Sequence, residues 1–189
     1  NHGTVLVSST LDEPHLLVGV VEEVADATGA SVAKRFGYAY VDSFGTVTPA
    51  GPAPYLDCVA APDTSVTDAA RQLPWLGDAE DKATSWIIAH QLPDYLAEVQ
   101  PRRAAELDKT RELVTKRLES ERDRLLLDAA VASEREQAGE KVKESSENLN
   151  RKAVELDIRL RKRLELLDQQ ALMSTKPPHI LTAALVLPV

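Results

Sequence analysis

Apolar positions recur along the chain with two different periods, and the change falls near residue 78. Val5-Leu6-Val7 is a short apolar run, and Leu16 to Val21 is a longer one rich in branched residues, bounded by Pro14 and by Asp26-Ala27-Thr28-Gly29. Phe36, Tyr38 and Tyr40 alternate at period two, which puts three rings on one face of a strand ending at the turn Asp42-Ser43-Phe44-Gly45. Together these runs predict an antiparallel meander. Ala50-Gly51-Pro52-Ala53-Pro54 interrupts the pattern before Tyr55-Leu56, and Pro62-Asp63-Thr64 predicts a helix start capped by Asp63 or Thr64.

Beyond Asp78 the period becomes helical. Leu92, Leu96 and Val99 recur at spacings of four and three, and Leu107, Val114, Leu118, Leu125 and Ala132 continue at sevens and fours with charged residues between them. Pro93 and Pro101 each remove a backbone donor, so a break or kink is expected near both. Leu149, Ala153, Leu156, Leu160, Leu164 and Leu167 form a second seam, and the polar stretch Gln137 to Asn148, with Gly139, suits a reversal between the two. Two such seams bury each other as an antiparallel hairpin, and Leu107 to Glu136 alone would run ~45 Å, mostly in solvent. Lys176-Pro177-Pro178 is expected to stop the second helix, and His179 to Leu187 to return as a strand. The expected fold is α+β, a small antiparallel sheet base with a long antiparallel coiled-coil helical hairpin inserted before the last strand. Its parts are a base over 1–77, a helical region with the arm over 78–176, and a returning strand over 177–189.

Composition agrees with a two-sided arm. The 189 residues are 43% hydrophobic and 28% charged but only 4% aromatic, so leucine and charge dominate the arm while no ring of Phe, Tyr or Trp follows Tyr95. No apolar run approaches the length of a membrane span, and Asn1 to Val5 shows no basic region leading into an apolar one. The single cysteine, Cys58, cannot form an internal disulfide, which favours a reducing cytoplasm. The net charge of -8 is uneven: residues 1–78 carry three basic against ten acidic side chains, residues 79–189 nineteen against twenty. That balance excludes a globally basic nucleic-acid-binding surface and leaves room for a local patch. The chain lacks an initiating Met and ends on Ala184 to Val189, so it reads as a piece of a longer protein, expected to be monomeric.

Motifs for chemistry are missing. Neither GxxxxGK[ST] nor GxGxxG occurs, so no nucleotide cofactor is expected in this piece. His2, His15, His90 and His179 are scattered, and no metal site is expected of them. Ser8-Ser9 near His15 lacks a GxSxG elbow and reads as solvated strand-end serine; Cys58 reads as a small buried hydrophobe, and Trp75 and Trp86 as core or anchor residues. No catalytic residue is therefore assigned. The one feature suited to contact is the basic run Arg159, Arg161, Lys162 and Arg163, with Arg151 and Lys152 two turns earlier. With Glu155, Asp157 and Glu165 among them, these read first as a solvated helix face, and second as a contact for phosphate or an acidic partner. Arg102-Arg103 is a weaker candidate of the same kind.

The order of these pieces resembles a known family. Leu16 to Asp57, ending in Ala50-Gly51-Pro52-Ala53-Pro54-Tyr55-Leu56-Asp57, resembles the sheet segment downstream of the motor lobes in long bacterial Swi/Snf-type helicases. Leu92-Pro93-Asp94-Tyr95-Leu96-Ala97-Glu98-Val99 with Arg102-Arg103-Ala104-Ala105-Glu106-Leu107-Asp108 resembles the start of their helical arm. Arg161 to Leu167, then Pro177-Pro178 before Ala184 to Pro188, is similar to its return. The group includes DISARM-like helicases, and the layout is similar to the C-terminal region of RapA. The resemblance implies a non-catalytic accessory domain of an ATP-dependent translocase, whose ATP and Mg sites lie in motor lobes outside this chain. The arm would contact those lobes or a protein partner, with nucleic acid binding weak for the fragment. A coiled-coil dimerisation or scaffold module is the alternative.

Overall fold

The structure is a computed structural model, and it describes residues 4–61 and 73–189. The helix start expected at Pro62-Asp63-Thr64, and His2, lie outside the described residues. The described chain is a mixed α/β protein in two compact units, one comprising residues 4–25, 29–61, 73–99 and 173–189 and the other residues 26–28 and 100–172.

The first unit is built on a seven-stranded sheet. Its strands are β1 (Thr4–Ser8), β2 (His15–Asp26), β3 (Ser31–Asp42), β4 (Val47–Pro49), β5 (Cys58–Ala60), β6 (Met173–Thr175) and β7 (His179–Pro188). They lie in the order β4-β3-β2-β7-β1-β5, with β6 also paired to β2. The meander β2-β3-β4 is antiparallel as its alternation indicates. The sheet as a whole is mixed, because β7 enters between β2 and β1, antiparallel to the first and parallel to the second. Adjacent strands in sequence need not be neighbours when a distant strand supplies a better apolar face, and β7 offers Ala184, Leu185 and Val186, all buried. Opposite Gly19 and Val20 the register skips Leu181, a bulge that leaves this leucine exposed.

The even-numbered face of β2 is covered by helix. Leu16, Val18 and Val20, with Ala39 and Val41 of β3, pack against Ala79, Ala83, Ile87 and Leu92. These four belong to α1 (Ala79–Trp86), a π turn (Ile87–Gln91) and the start of α2 (Leu92–Gln137). Ile87 is fully buried, a placement worth about 1.5–3 kcal/mol against exposure. Trp75 and Trp86 are half-buried against this core, as anchor residues should be. Farther along β2, Val24 meets Tyr95 and Val99. The irregularity expected at the prolines is a π turn just ahead of Pro93, where the widened turn accommodates a residue that cannot bond to the carbonyl four positions back. At Pro101 the helix continues unbroken.

Glu22 lies on that same covered face. Period two places it between Val20 and Val24, and it is 0% exposed. Its cross-strand partner is Arg35. The guanidinium Nε donates to Glu22 Oε2 at 2.5 Å, and it also reaches Glu98 Oε2 at 3.3 Å and the Gln91 carbonyl at 3.4 Å. Arg35 Cζ stands 4.1 Å from the centre of the Tyr95 ring. Gly37 makes room for this cluster, since a Cβ there would sit 2.5 Å from Glu22 Oε1 and 3.1 Å from Gln91 Oε1.

The chain's return to the sheet is also held by charge. The second long helix, α3 (Ser146–Ala171), ends five residues before Lys176-Pro177-Pro178, because Leu172 is already extended and β6 pairs with β2. Lys176 donates its backbone N–H to the Glu23 carbonyl at 2.8 Å and its Nζ to Glu23 Oε1 at 2.7 Å. Lys34 binds the other carboxylate oxygen at 3.1 Å. Bonding to Lys176, then to Lys34, holds the Glu23 carboxyl down at about 2.

Two outcomes follow from these charges. Arg35→Met strands the Glu22 carboxylate and should destabilise the fold by about 2–3 kcal/mol, below the usual figure for a buried pair because Arg35 is half-exposed; adding Glu22→Leu should recover most of the loss in urea unfolding. Glu23 has a lowered folded pKa, so its contribution is complete above its ordinary 4.5 and disappears as pH falls toward about 2. Lys176→Met should therefore lower the urea midpoint at pH 7, with the gap from wild type narrowing across that interval.

Candidate functional site

The second unit consists of α2 from Gln100 onward, α3, the loop between them and the short turn at 26–28. Ala27 N–H donates to the Gln169 carbonyl at 3.3 Å. Gly139, at φ +77°, ends α2 in a conformation that suits glycine. Ser145 caps α3, its side chain accepting from Asn148 N–H at 3.3 Å. Contacts between the helices run in opposite senses. Glu136 accepts from the Ser146 hydroxyl at 2.7 Å, Arg122 meets Asp157 at 3.1 Å, and Arg111 pairs with Asp168. Ala129 and Ala132 pack on Leu149 with Leu125 and Val142 beside them, and Ala153 and Leu167 are buried as the second seam requires.

Between these contacts the helices leave a groove of about 440 Å³. Val114, Arg117, Leu118 and Glu121 line it from α2, and Arg159, Lys162, Arg163 and Leu166 from α3. On α2 the seam here passes from Leu118 to Leu125 over Glu121 and Arg122. Arg122 then turns to Asp157 and its neighbour Asp123 rather than to a leucine.

The groove has an apolar floor and a cationic rim. Residues 100–172 carry seventeen Lys and Arg against sixteen Asp and Glu, close to neutrality. At the groove the ratio is four to one, with Glu121 the single lining carboxylate. Among the described residues none of Arg117, Arg159, Lys162 and Arg163 takes part in an ion pair, whereas Arg103, Arg111, Arg122, Arg151 and Lys152 do.

The structure sorts the six basic residues that the sequence groups together. Arg159, Lys162 and Arg163, at spacings of three and four, share the groove face. Lys152 pairs with Glu144 at 2.6 Å, and Arg151 contacts Asn148 and lies 4.0 Å from Glu155. Arg161 is exposed and does not line the groove. Arg117 and Glu121 escape a reading of α3 alone, because their relation to Arg159 and Arg163 exists only once the two helices are set in register.

In the first unit, the residues considered for nucleophilic chemistry are arranged otherwise. Ser8 is buried, not solvated, and its Oγ shares a 2.8 Å hydrogen bond with Thr10. Opposite it on β5, half-buried Cys58 donates to the Pro54 carbonyl at 3.4 Å, and burial pushes its thiol above the ordinary value, as burial also raises Tyr40. His15 packs edge-on against Tyr40 with ring centres 5.6 Å apart, and its Nδ1 is 2.8 Å from the Glu13 carbonyl. A raised thiol and an imidazole engaged elsewhere do not make an activated nucleophile.

Among the described residues no group of three or more His, Cys, Asp or Glu side chains could hold a metal ion, and no helix is long and apolar enough to cross a membrane. Comparison with known proteins gives no match, either to a family model or to a curated protein.

Proposed function

We propose that this chain is a non-catalytic accessory module of a bacterial, cytoplasmic Swi/Snf-type ATP-dependent translocase. In this reading α2 and α3 form an antiparallel coiled-coil arm inserted between β5 and β6, which docks a protein partner or the motor lobes and couples it to ATP hydrolysis elsewhere in the protein. The observation that carries it is the order of elements: strands, a long helical pair, then strands that re-enter the same sheet beside the first ones. That order agrees with the segments that resemble the helicase group. Supporting it, Ala129 and Ala132 of α2 pack on Leu149 of α3 while the surface of both helices mixes acidic and basic residues, an arrangement suited to selective protein contact.

A second reading is favoured by one specific feature. Leu113, Leu127 and Val131 of α2, and Val154 and Ile158 of α3, are large apolar side chains left exposed. In a dimerisation module these would be the faces that meet a second copy.

Excision separates the two. In the full-length translocase, replacing 107–168 by a short Gly/Ser linker should leave basal ATPase unchanged and reduce nucleic-acid-stimulated turnover or partner engagement severalfold. Unaltered coupling would contradict the proposal. The chain itself should sediment as a monomer at micromolar concentration, and a dimer that Leu127→Glu dissociates would favour the scaffold reading.

A further inference from the structure

Resting on the reading of the helical pair as a docking arm, we infer that the groove between α2 and α3 is the docking site itself, and that its occupant is an acidic, amphipathic segment of a partner protein. Such a segment would seat aliphatic side chains on the groove floor and set carboxylates against the rim.

The floor requires the aliphatic part. Val114, Leu118 and Leu166 present apolar surface inside a groove of about 440 Å³, enough for a few leucine-sized side chains but too small for a folded domain. The rim requires the acidic part. Arg159, Lys162 and Arg163 stand on one face of α3, and Arg117 faces them from α2. Cations already neutralised by local carboxylates gain little from a new anion, whereas these four enter no ion pair among the described residues. Guanidinium groups also bind carboxylates through paired hydrogen bonds, which adds geometry to charge.

The same features argue against nucleic acid as the occupant. A phosphate backbone has no use for an apolar floor and is repelled by Glu121, and base stacking needs aromatic platforms. Residues 100–172 contain no Phe, Tyr, Trp or His. Their charges nearly cancel, so counterion release would supply little long-range attraction.

The test uses the chain with three fluorescent probes at 150 mM salt. The first is a synthetic acidic peptide of about four helical turns with leucines on one face. The second is the same peptide with those leucines changed to alanine, and the third is a short DNA duplex. The leucine peptide should bind in the micromolar range. The alanine peptide should bind at least tenfold more weakly, as should the leucine peptide to the Arg159→Glu/Lys162→Glu/Arg163→Glu variant. Circular dichroism checks that this variant keeps its helices; if it does not, Arg117→Glu alone should still give a severalfold loss. Equal binding of both peptides would reduce the groove to a nonspecific charged surface and overturn the inference. So would no peptide binding, or duplex binding that is tighter than the peptide's and lost in the triple variant. Failure here leaves the translocase reading to its own excision test, and peptide binding without any coupling defect on excision would retain the groove while removing the translocase role.

Discussion

A carboxylate cannot be left alone in an apolar layer, and Glu22 sits fully buried in one. Arg35 answers it directly across the β2–β3 ladder, and the rest of that guanidinium is taken up by the Gln91 carbonyl, the Glu98 carboxylate and the Tyr95 ring. One cation thereby ties two strands to the π turn and to the first turns of α2. An apolar pair in the same place would keep most of that stability but would tolerate sliding of the helix over the sheet. The ion pair fixes register: Gln91 must face Tyr38, whose carbonyl accepts from its Nε2 at 3.0 Å. Gly37 must stay small to let them meet.

The second unit solves its packing differently. Many of its ion pairs are exposed, and surface pairs such as Arg111 with Asp168 contribute little each. Cohesion comes from apolar packing, with Ala129 and Ala132 against Leu149 and with Leu107, Ala153 and Leu167 also buried. Near Val114 and Leu118 the helices leave the groove, lined by Arg117, Arg159, Lys162 and Arg163, which enter no ion pair among the described residues.

Much of this was legible from periodicity. The rings of Phe36, Tyr38 and Tyr40 mark β3, the seam from Leu149 to Leu167 marks α3, and Gly139 with its polar neighbours marks the turn between helices. What escaped has a common cause, dependence on distant partners. β7 lies parallel to β1 because it takes the slot between β1 and β2, and nothing local to either strand encodes that. β6 forms ahead of the prolines because β2 has an edge to pair with there. Glu22 resembles any strand glutamate until its face is known to be covered, and Ser8 any strand-end serine. Of the six basic residues grouped in the sequence, only three face the groove, since their neighbours on α2 are chosen by the register of the pair.

That register is the feature on which the proposed docking arm depends, and paired spin labels read it directly. On a chain with Cys58 replaced by serine, labels at Glu112 and Gln169 and at Glu134 and Glu147 should each be separated by little more than the interaxial distance of about 8–10 Å plus label reach. A cross pair at Glu112 and Glu147 should be roughly 33 Å apart along α3. All three should persist unchanged when labelled chain is diluted with unlabelled chain. Near-equal distances in the matched and crossed pairs, or short distances that vanish on dilution, would contradict an intrachain antiparallel arm.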